Sequence, residues 1–316
     1  MRSAFGGSSD QVSPSSYTRS RGILRSLWTG MLAALFVVTG ASAEAFALPV
    51  GHPEEAQQAA AQTPTWEELD AAGVDFTSIV ALSNCSGSLV RFSTSRTDDY
   101  AMVLTNGHCL SGFVTAGDAI VDQASSRTFT LLDASARSLG TLRAQRMLYA
   151  TMTGSDFAIY RLTQTYAQLA TRFRVAPLVI QSRRPTEGTS LRIVSGYWKK
   201  IYSCAIDHFV PELREGTWTF RDSIRFTQPG CETIGGTSGS PLIDVESKAV
   251  IGINNTGNES GASCTLNNPC EVDASGRVTA TKGASYGQQL YQIYSCLDAT
   301  NNIDVTRAGC TLQKPK

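Results

Sequence analysis

Cys231-Glu232-Thr233-Ile234-Gly235-Gly236-Thr237-Ser238-Gly239-Ser240-Pro241-Leu242 crowds glycines around one serine. Glycine lets the backbone hold left-handed dihedrals and bring its N–H groups close to a ligand, which a plain surface turn does not require. Working outward, the apolar run Ala101-Met102-Val103-Leu104 leads into Thr105-Asn106-Gly107-His108-Cys109, a strand that delivers a histidine beside a cysteine. Between the two, Gly154-Ser155-Asp156 opens the alternating run Phe157-Ala158-Ile159-Tyr160. Singly, the histidine reads as structural and the aspartate as a turn residue. Together they place a histidine, an aspartate and a serine in the chain order His, Asp, Ser.

The rest of the chain fits an all-β protein. Its 316 residues are 42% hydrophobic, enough for a sizeable core, and only 17% charged. Lys plus Arg number 27 and Asp plus Glu 27, so the formal net charge is zero, and no local basic run stands out. Binding through phosphate neutralisation is therefore not expected, and nucleic acid is excluded as a partner. Short runs rich in Val, Ile, Leu, Thr and Tyr recur between Gly, Ser, Asn and Asp: Ser78–Leu82, Gly87–Phe92, Ala101–Thr105, Thr128–Leu132, Phe157–Leu162, Leu191–Ser195, Thr217–Phe220 and Ala249–Ile253. They predict strands of a sandwich or barrel. Helix is expected only at Glu67–Ala72 and, as a terminal helix, at Gln288–Leu297.

Arg19, Arg21 and Arg25 precede an apolar stretch from Leu27 to Val38 that ends in the small residues Ala41, Ser42 and Ala43. This is the pattern of a secretory signal peptide, and the stretch falls short of the roughly 20 residues that cross a bilayer. Residues 1–43 are read as that signal with an N-terminal extension, and 44–74, rich in Ala, Gln, Glu and Pro, as a linker or short pro-segment. Stable membrane insertion after signal removal is not expected, and the protein is read as a secreted, extracellular or periplasmic monomer. Eight cysteines without a Cys-x-x-Cys pair, against three histidines, predict four disulfides in an oxidising compartment rather than zinc. Four bridges allow on the order of 100 connectivities. Cys264 and Cys270 enclose a short turn, and Cys296 with Cys310 can pin the tail; the pairing of Cys85, Cys109, Cys204 and Cys231 stays open at this point, with Cys204–Cys231 and Cys231–Cys264 as alternatives.

Taken together, His108-Cys109, Asp156-Phe157-Ala158-Ile159 and Gly236-Thr237-Ser238-Gly239-Ser240-Pro241 resemble the trypsin-like or chymotrypsin-like serine endopeptidases over roughly residues 78 to 257. Within that family, Gly-x-Ser-Gly-Ser-Pro is most similar to the bacterial branch that includes glutamyl endopeptidases. The resemblance implies two six-stranded antiparallel β-barrels, 75–180 and 181–292, with the active site in the cleft between them and residues 293–316 as a disulfide-pinned tail. It implies a Cys85–Cys109 bridge. It also implies Ser238 as nucleophile, His108 as base and then acid, Asp156 as the orienting carboxylate, and the N–H groups of Gly236 and Ser238 as the oxyanion hole. No cofactor or metal is called for; the partner is a protein or peptide substrate.

The residues also test rival readings. An α/β-hydrolase needs Gly-x-Ser-x-Gly with a histidine after the serine, whereas Ser240 replaces the second glycine and His52, His108 and His208 all precede Ser238. His208 is the internal competitor for the base. Asp118, Asp122, Asp133, Asp207 and Asp222 also lie between His108 and Ser238, but only Asp156 opens a strand in the family context. Thr237 stands where digestive relatives carry an aspartate that pairs with a new N-terminus, so activation by that salt bridge is not expected. The pocket wall is expected from Glu232, Thr233, Asn254, Asn255 and Thr256. Glu232 on its floor would favour Lys or Arg, but it also reads as a solvated rim residue. Asn254 stands where glutamyl endopeptidases carry histidine. The alternative to an enzyme is a catalytically silent homologue serving as an extracellular binding module.

Overall fold

A computed structural model describes residues 74–316; His52, the expected signal peptide and the expected helix at Glu67–Ala72 lie outside the described residues. The first half is built from β1 (Ile79–Ala81), β2 (Ser86–Arg91), β3 (Tyr100–Thr105), β4 (Ala119–Ala124), β5 (Thr128–Leu132), β6 (Ser138–Thr151) and β7 (Phe157–Thr165). Antiparallel pairing runs β1-β5-β6-β7-β3-β2 and returns to β1, closing a six-stranded barrel, with β4 laid on β6. Closure pairs both edges of each of the six ring strands.

Helix α1 (Tyr166–Phe173) and the short β8 (Leu178–Val179, parallel to β2) lead out of this barrel. The helix starts where Thr165 and Gln168 cap each other's backbone N–H groups and stops at Arg174 in the left-handed region.

The second half comprises β9 (Ser190–Ser195), β10 (Lys200–Glu215), β11 (Trp218–Phe226), β12 (Pro241–Asp244), β13 (Val250–Gly257), β14 (Cys270–Val272), β15 (Val278–Thr279) and β16 (Ser285–Gln289). Here the ring runs β9-β10-β11-β16-β13-β12 and back to β9, again six antiparallel strands, with β14 and β15 extending from β10. The all-β, double six-stranded barrel expected from the sequence is the fold of the molecule.

Inward-facing apolar side chains fill each barrel. Leu89, Val103, Phe129, Leu131, Leu142 and Leu162 pack the first, and Leu191, Ile193, Ile206, Ile224, Phe226 and Leu242 the second. Each such side chain contributes about 1.5–3 kcal/mol on burial. A further core joins the two: Phe92, Met102, Leu104 and Phe157 of the first barrel meet Val194, Ile243, Val250 and Ile253 of the second. The tail completes it through Ile293, Leu297, Ile303, Val305 and Leu312, and Gln313 accepts a hydrogen bond from Tyr149 of the first barrel at 2.9 Å. The barrels are thus held as one body whose seam carries the loops after β3, before β7 and before β12.

The expected terminal helix is displaced. Gln288 and Gln289 end β16, buried and paired with Ile253 and Gly252, and only Tyr291–Cys296 turn helically, as a 3₁₀ segment. The ladder to β13 satisfies the backbone polar groups that a helix would otherwise have paired.

Candidate active site

His108 sits on one turn of 3₁₀ helix, Gly107–Cys109, directly after β3. Three constraints place it. Cys109 is bridged to Cys85, with Cα atoms 6.1 Å apart. A side chain on Gly107 would sit 2.2 Å from the Thr151 carbonyl oxygen, so only glycine lets this turn press against β6. Asp156, 1% exposed, gathers the turn: its Oδ1 accepts the N–H groups of Gly107 at 2.7 Å and His108 at 3.2 Å, and its carbonyl accepts Asn106 Nδ2 at 2.7 Å.

The remaining carboxylate oxygen accepts His108 Nδ1–H at 2.7 Å. That fixes the tautomer and leaves Nε2 as the basic lone pair facing the cleft. Burial disfavours the imidazolium, but the charge and hydrogen bond of Asp156, helped by the charge of Glu215, outweigh it and raise the His108 pKa above its ordinary 6.5.

Ser238 lies in the loop between β11 and β12, stitched to both barrels. Ser86 N–H of β2 donates to the Ser238 carbonyl at 2.8 Å, while Gly239 N–H donates to the Asn254 carbonyl of β13 at 3.0 Å. Gly239 has φ +83°, and a Cβ there would lie 2.2 Å from Ser86 O and 2.5 Å from Thr105 Oγ1. Ser86, absent from the sequence reading, is a hub: its hydroxyl donates to Gly236 O at 3.1 Å, lies 3.0 Å from Ser195 Oγ and accepts Tyr197 N–H at 3.1 Å. Among the described residues, no acceptor pairs with the N–H groups of Gly236 or Ser238. The Ser238 hydroxyl donates at 3.4 Å to the Asn255 carbonyl, a long bond that a rotation about χ1 exchanges for another partner.

One cleft holds His108, Asp156 and Ser238 together with Thr233, Asn254, Asn255 and Thr256. Glu232 is not among its lining residues. Its exposed carboxylate turns back to accept Gly230 N–H at 3.2 Å, which corrects the expectation that it walls the pocket. The wall carries Glu215 instead, from the inward face of β10, 7% exposed and accepting Asn267 N–H at 2.7 Å. Burial pushes the Glu215 carboxyl above its ordinary value, opposed by the Thr256 hydroxyl, Asn267 N–H and the charge of His108.

His208 lies outside the cleft on β10, beside Asp207 (3.1 Å) and Glu271 (3.5 Å). Thr237 is fully buried and carries no charge for a new N-terminus to pair with. The other bridges are Cys204–Cys231, Cys264–Cys270 and Cys296–Cys310, so the alternative Cys231–Cys264 pairing is not formed. Near the site, Cys85, Cys109 and His108 cluster within metal-ligand distance, but the two sulfurs are consumed by their bridge. Among the described residues no helix is long and apolar enough to cross a membrane, and four disulfides suit an oxidising compartment.

No curated protein matches the chain. Among solved structures, it is similar to the MamO protease domain from Magnetospirillum magneticum (14% identity, 70% of this chain and 96% of that one, TM-score 0.43). It is similar also to the active form of the Rv3671c protease from M. tuberculosis (14%, 73% and 82%, TM-score 0.41) and to Nocardiopsis protease (14%, 69% and 93%, TM-score 0.39). A family model described as a trypsin-like peptidase domain matches residues 85–253, running from the cysteine that anchors the histidine turn to the strand beside the serine loop. That match takes in more than half of the 316 residues, and the chain belongs to the trypsin-like peptidase family.

Proposed function

We propose that the protein is a secreted serine endopeptidase that cleaves peptide bonds through Ser238, His108 and Asp156. The observation that carries this reading is the 2.7 Å bond from His108 Nδ1 to the buried Asp156 carboxylate, in a cleft that Ser238 also lines. In the proposed cycle, His108 Nε2 takes the hydroxyl proton as Ser238 Oγ bonds to the scissile carbonyl carbon. The carbonyl oxygen becomes an oxyanion received by the N–H groups of Gly236 and Ser238. The imidazolium, stabilised by Asp156, returns the proton to the leaving amine as the C–N bond breaks. A water then repeats the sequence on the acyl-enzyme, its proton passing through His108 to Ser238 Oγ. The proposed donors are backbone N–H groups that no acceptor occupies among the described residues, and the cycle calls on no cofactor.

The same proposal takes 1–43 as the signal peptide, 75–180 and 181–292 as the two barrel units, and the protein as a monomer without nucleic-acid partners. The motif Gly236-Thr237-Ser238-Gly239-Ser240-Pro241 supports the bacterial branch that includes glutamyl endopeptidases. Acidic side-chain preference is not part of the proposal, since the cleft carries Asn254 where glutamyl endopeptidases carry histidine and, among the described residues, no Lys or Arg lines it.

The test is hydrolysis of a fluorescence-quenched casein by the disulfide-bonded protein and by Ser238→Ala, His108→Ala and His208→Ala. Cleavage by the parent and by His208→Ala, lost in the other two, is expected. A folded parent that leaves casein intact turns the reading toward the silent binding module.

A further inference from the structure

Among the described residues, the cleft beside His108 is lined by acidic side chains and by no Lys or Arg. Asp156 is committed to His108, which leaves Glu215 and Glu259 as the other formal charges among the lining residues. The two are joined through one residue: Asn267 donates its N–H to Glu215 Oε1 at 2.7 Å, and its carbonyl accepts Glu259 N–H at 3.0 Å. The carboxylates therefore edge the same stretch of rim. Glu215 is 7% exposed, so its charge has lost most of its water without gaining a cationic side chain. A buried carboxylate without a counter-ion is costly to keep and strongly attractive to one that arrives.

A second, independent feature points the same way. Asn254 is 2% exposed, lines the cleft, and its Oδ1 has no hydrogen-bond partner. An unpaired buried acceptor costs about 1–3 kcal/mol until a donor reaches it. Asn255, 3% exposed, leaves Nδ2 unpaired in the same wall, a donor suited to a peptide carbonyl. Apolar side chains line the same cleft, and Trp218 is the cross-strand partner of Glu215. Phe113 and Trp218 stack edge to face at 5.3 Å, with Trp218 Nε1 tied to Val114 O at 2.9 Å, and Phe220, Met152 and Leu266 continue the surface. A carboxylate and an unpaired acceptor set among aromatic and aliphatic surface match a side chain with a long apolar stem and a cationic, donor-rich head.

We propose that this cleft selects peptides bearing Lys or Arg, with Glu215 receiving the cation, a role the sequence offered to Glu232. Glu215 comes from β10 rather than from the segment preceding the nucleophile, so the basic side chain is held on the His108 flank of the cleft. Glu259, exposed at the rim, adds a smaller, salt-screened attraction.

This specificity rests on the endopeptidase reading, and two arms keep the two apart. In the first, paired peptides differing only by Lys or the neutral norleucine at one position are scanned along the substrate, and kcat/KM is compared. At one position the parent is expected to favour Lys by about 10- to 100-fold, the span of one charge-assisted hydrogen bond. Glu215→Gln is expected to bring that ratio close to one, and Glu259→Gln to lower it about two-fold or less. A parent that cleaves both members equally at every position overturns the inference and leaves the endopeptidase standing, with no variant needed. A Lys preference that survives Glu215→Gln overturns the assignment to Glu215. In the second arm, calorimetry with Ser238→Ala measures binding of the same pairs without hydrolysis. If the parent cleaves nothing, tighter binding of the Lys peptide supports the inference while the endopeptidase reading falls; equal binding ends both.

Discussion

The two halves of the candidate active site are finished to different degrees. On the first barrel, Asp156 is buried under donors from Gly107, His108 and Asn106, and the imidazole is locked at 2.7 Å. On the second, the Ser238 hydroxyl holds only a 3.4 Å bond to Asn255 O, the Gly236 and Ser238 N–H groups are unpaired among the described residues, and Asn254 and Asn255 keep unpaired polar atoms. The contrast is chemical. A base must be oriented before substrate arrives, because its tautomer decides whether it can accept a proton, whereas donors meant for an oxyanion must have nothing else to bind.

Substitutions can break this comparison in graded steps. Ser238→Ala and His108→Ala remove the proposed reacting groups themselves, and loss of about 10⁴- to 10⁶-fold in kcat is expected on any substrate the parent cleaves. Asp156→Asn should come next, at roughly 10⁴-fold, since an amide can keep the contact yet stabilise the wrong tautomer. A pH profile of that variant that simply scales the parent's would contradict the orienting role. Gly239→Ala drives a methyl group into Ser86 O at a left-handed φ. It should cost about 2–4 kcal/mol in a denaturant melt and about 100-fold in kcat by displacing Ser238. Ser86→Ala keeps the backbone clamp but frees the Gly236 carbonyl, and a fall of about 10-fold in kcat with KM little changed is expected.

The smallest effect is a shift in pH. In the proposed cycle His108 is a base only when neutral, and its pKa is raised above 6.5, so kcat/KM should fall as pH drops through a value on the alkaline side of 6.5. Glu215 contributes to that rise, so Glu215→Gln should move the acid limb to lower pH.

Much of the fold was legible because both barrels are made of short strands whose apolar runs are bounded by turn residues. The long strands were not. β6 and β10 bend around their barrels, and bulges between Ala144 and Arg146, Met147 and Tyr149, and Ile206 and His208 break the two-residue alternation that marks a strand. Helix α1 was announced by Thr165 and Gln168 at capping-box spacing, a signal local enough to pass unread. The terminal helix was misjudged because Gln288 and Gln289 look polar and helical in sequence, yet pair as a buried strand.

In the site, His108, Asp156 and Ser238 stand out through their neighbours. Glu215 does not, sitting in Glu212-Leu213-Arg214-Glu215, where Glu212 is a surface residue bound to Arg214 and Arg221. The available clue was phase: Glu215 is two residues from the buried Leu213 and shares its inward face. Glu232 had the opposite fault, a telling position in the chain but a carboxylate drawn back to Gly230.

The central claim is that the Asp156–His108 pair activates Ser238, and a covalent trap addresses it most directly. The disulfide-bonded protein is treated with a fluorophosphonate at several pH values, and the adduct is located by peptide mass spectrometry. The account expects one adduct, on Ser238, forming more slowly as pH falls through the His108 pKa. An unlabelled but folded protein, an adduct on another residue, or a rate indifferent to pH would contradict it.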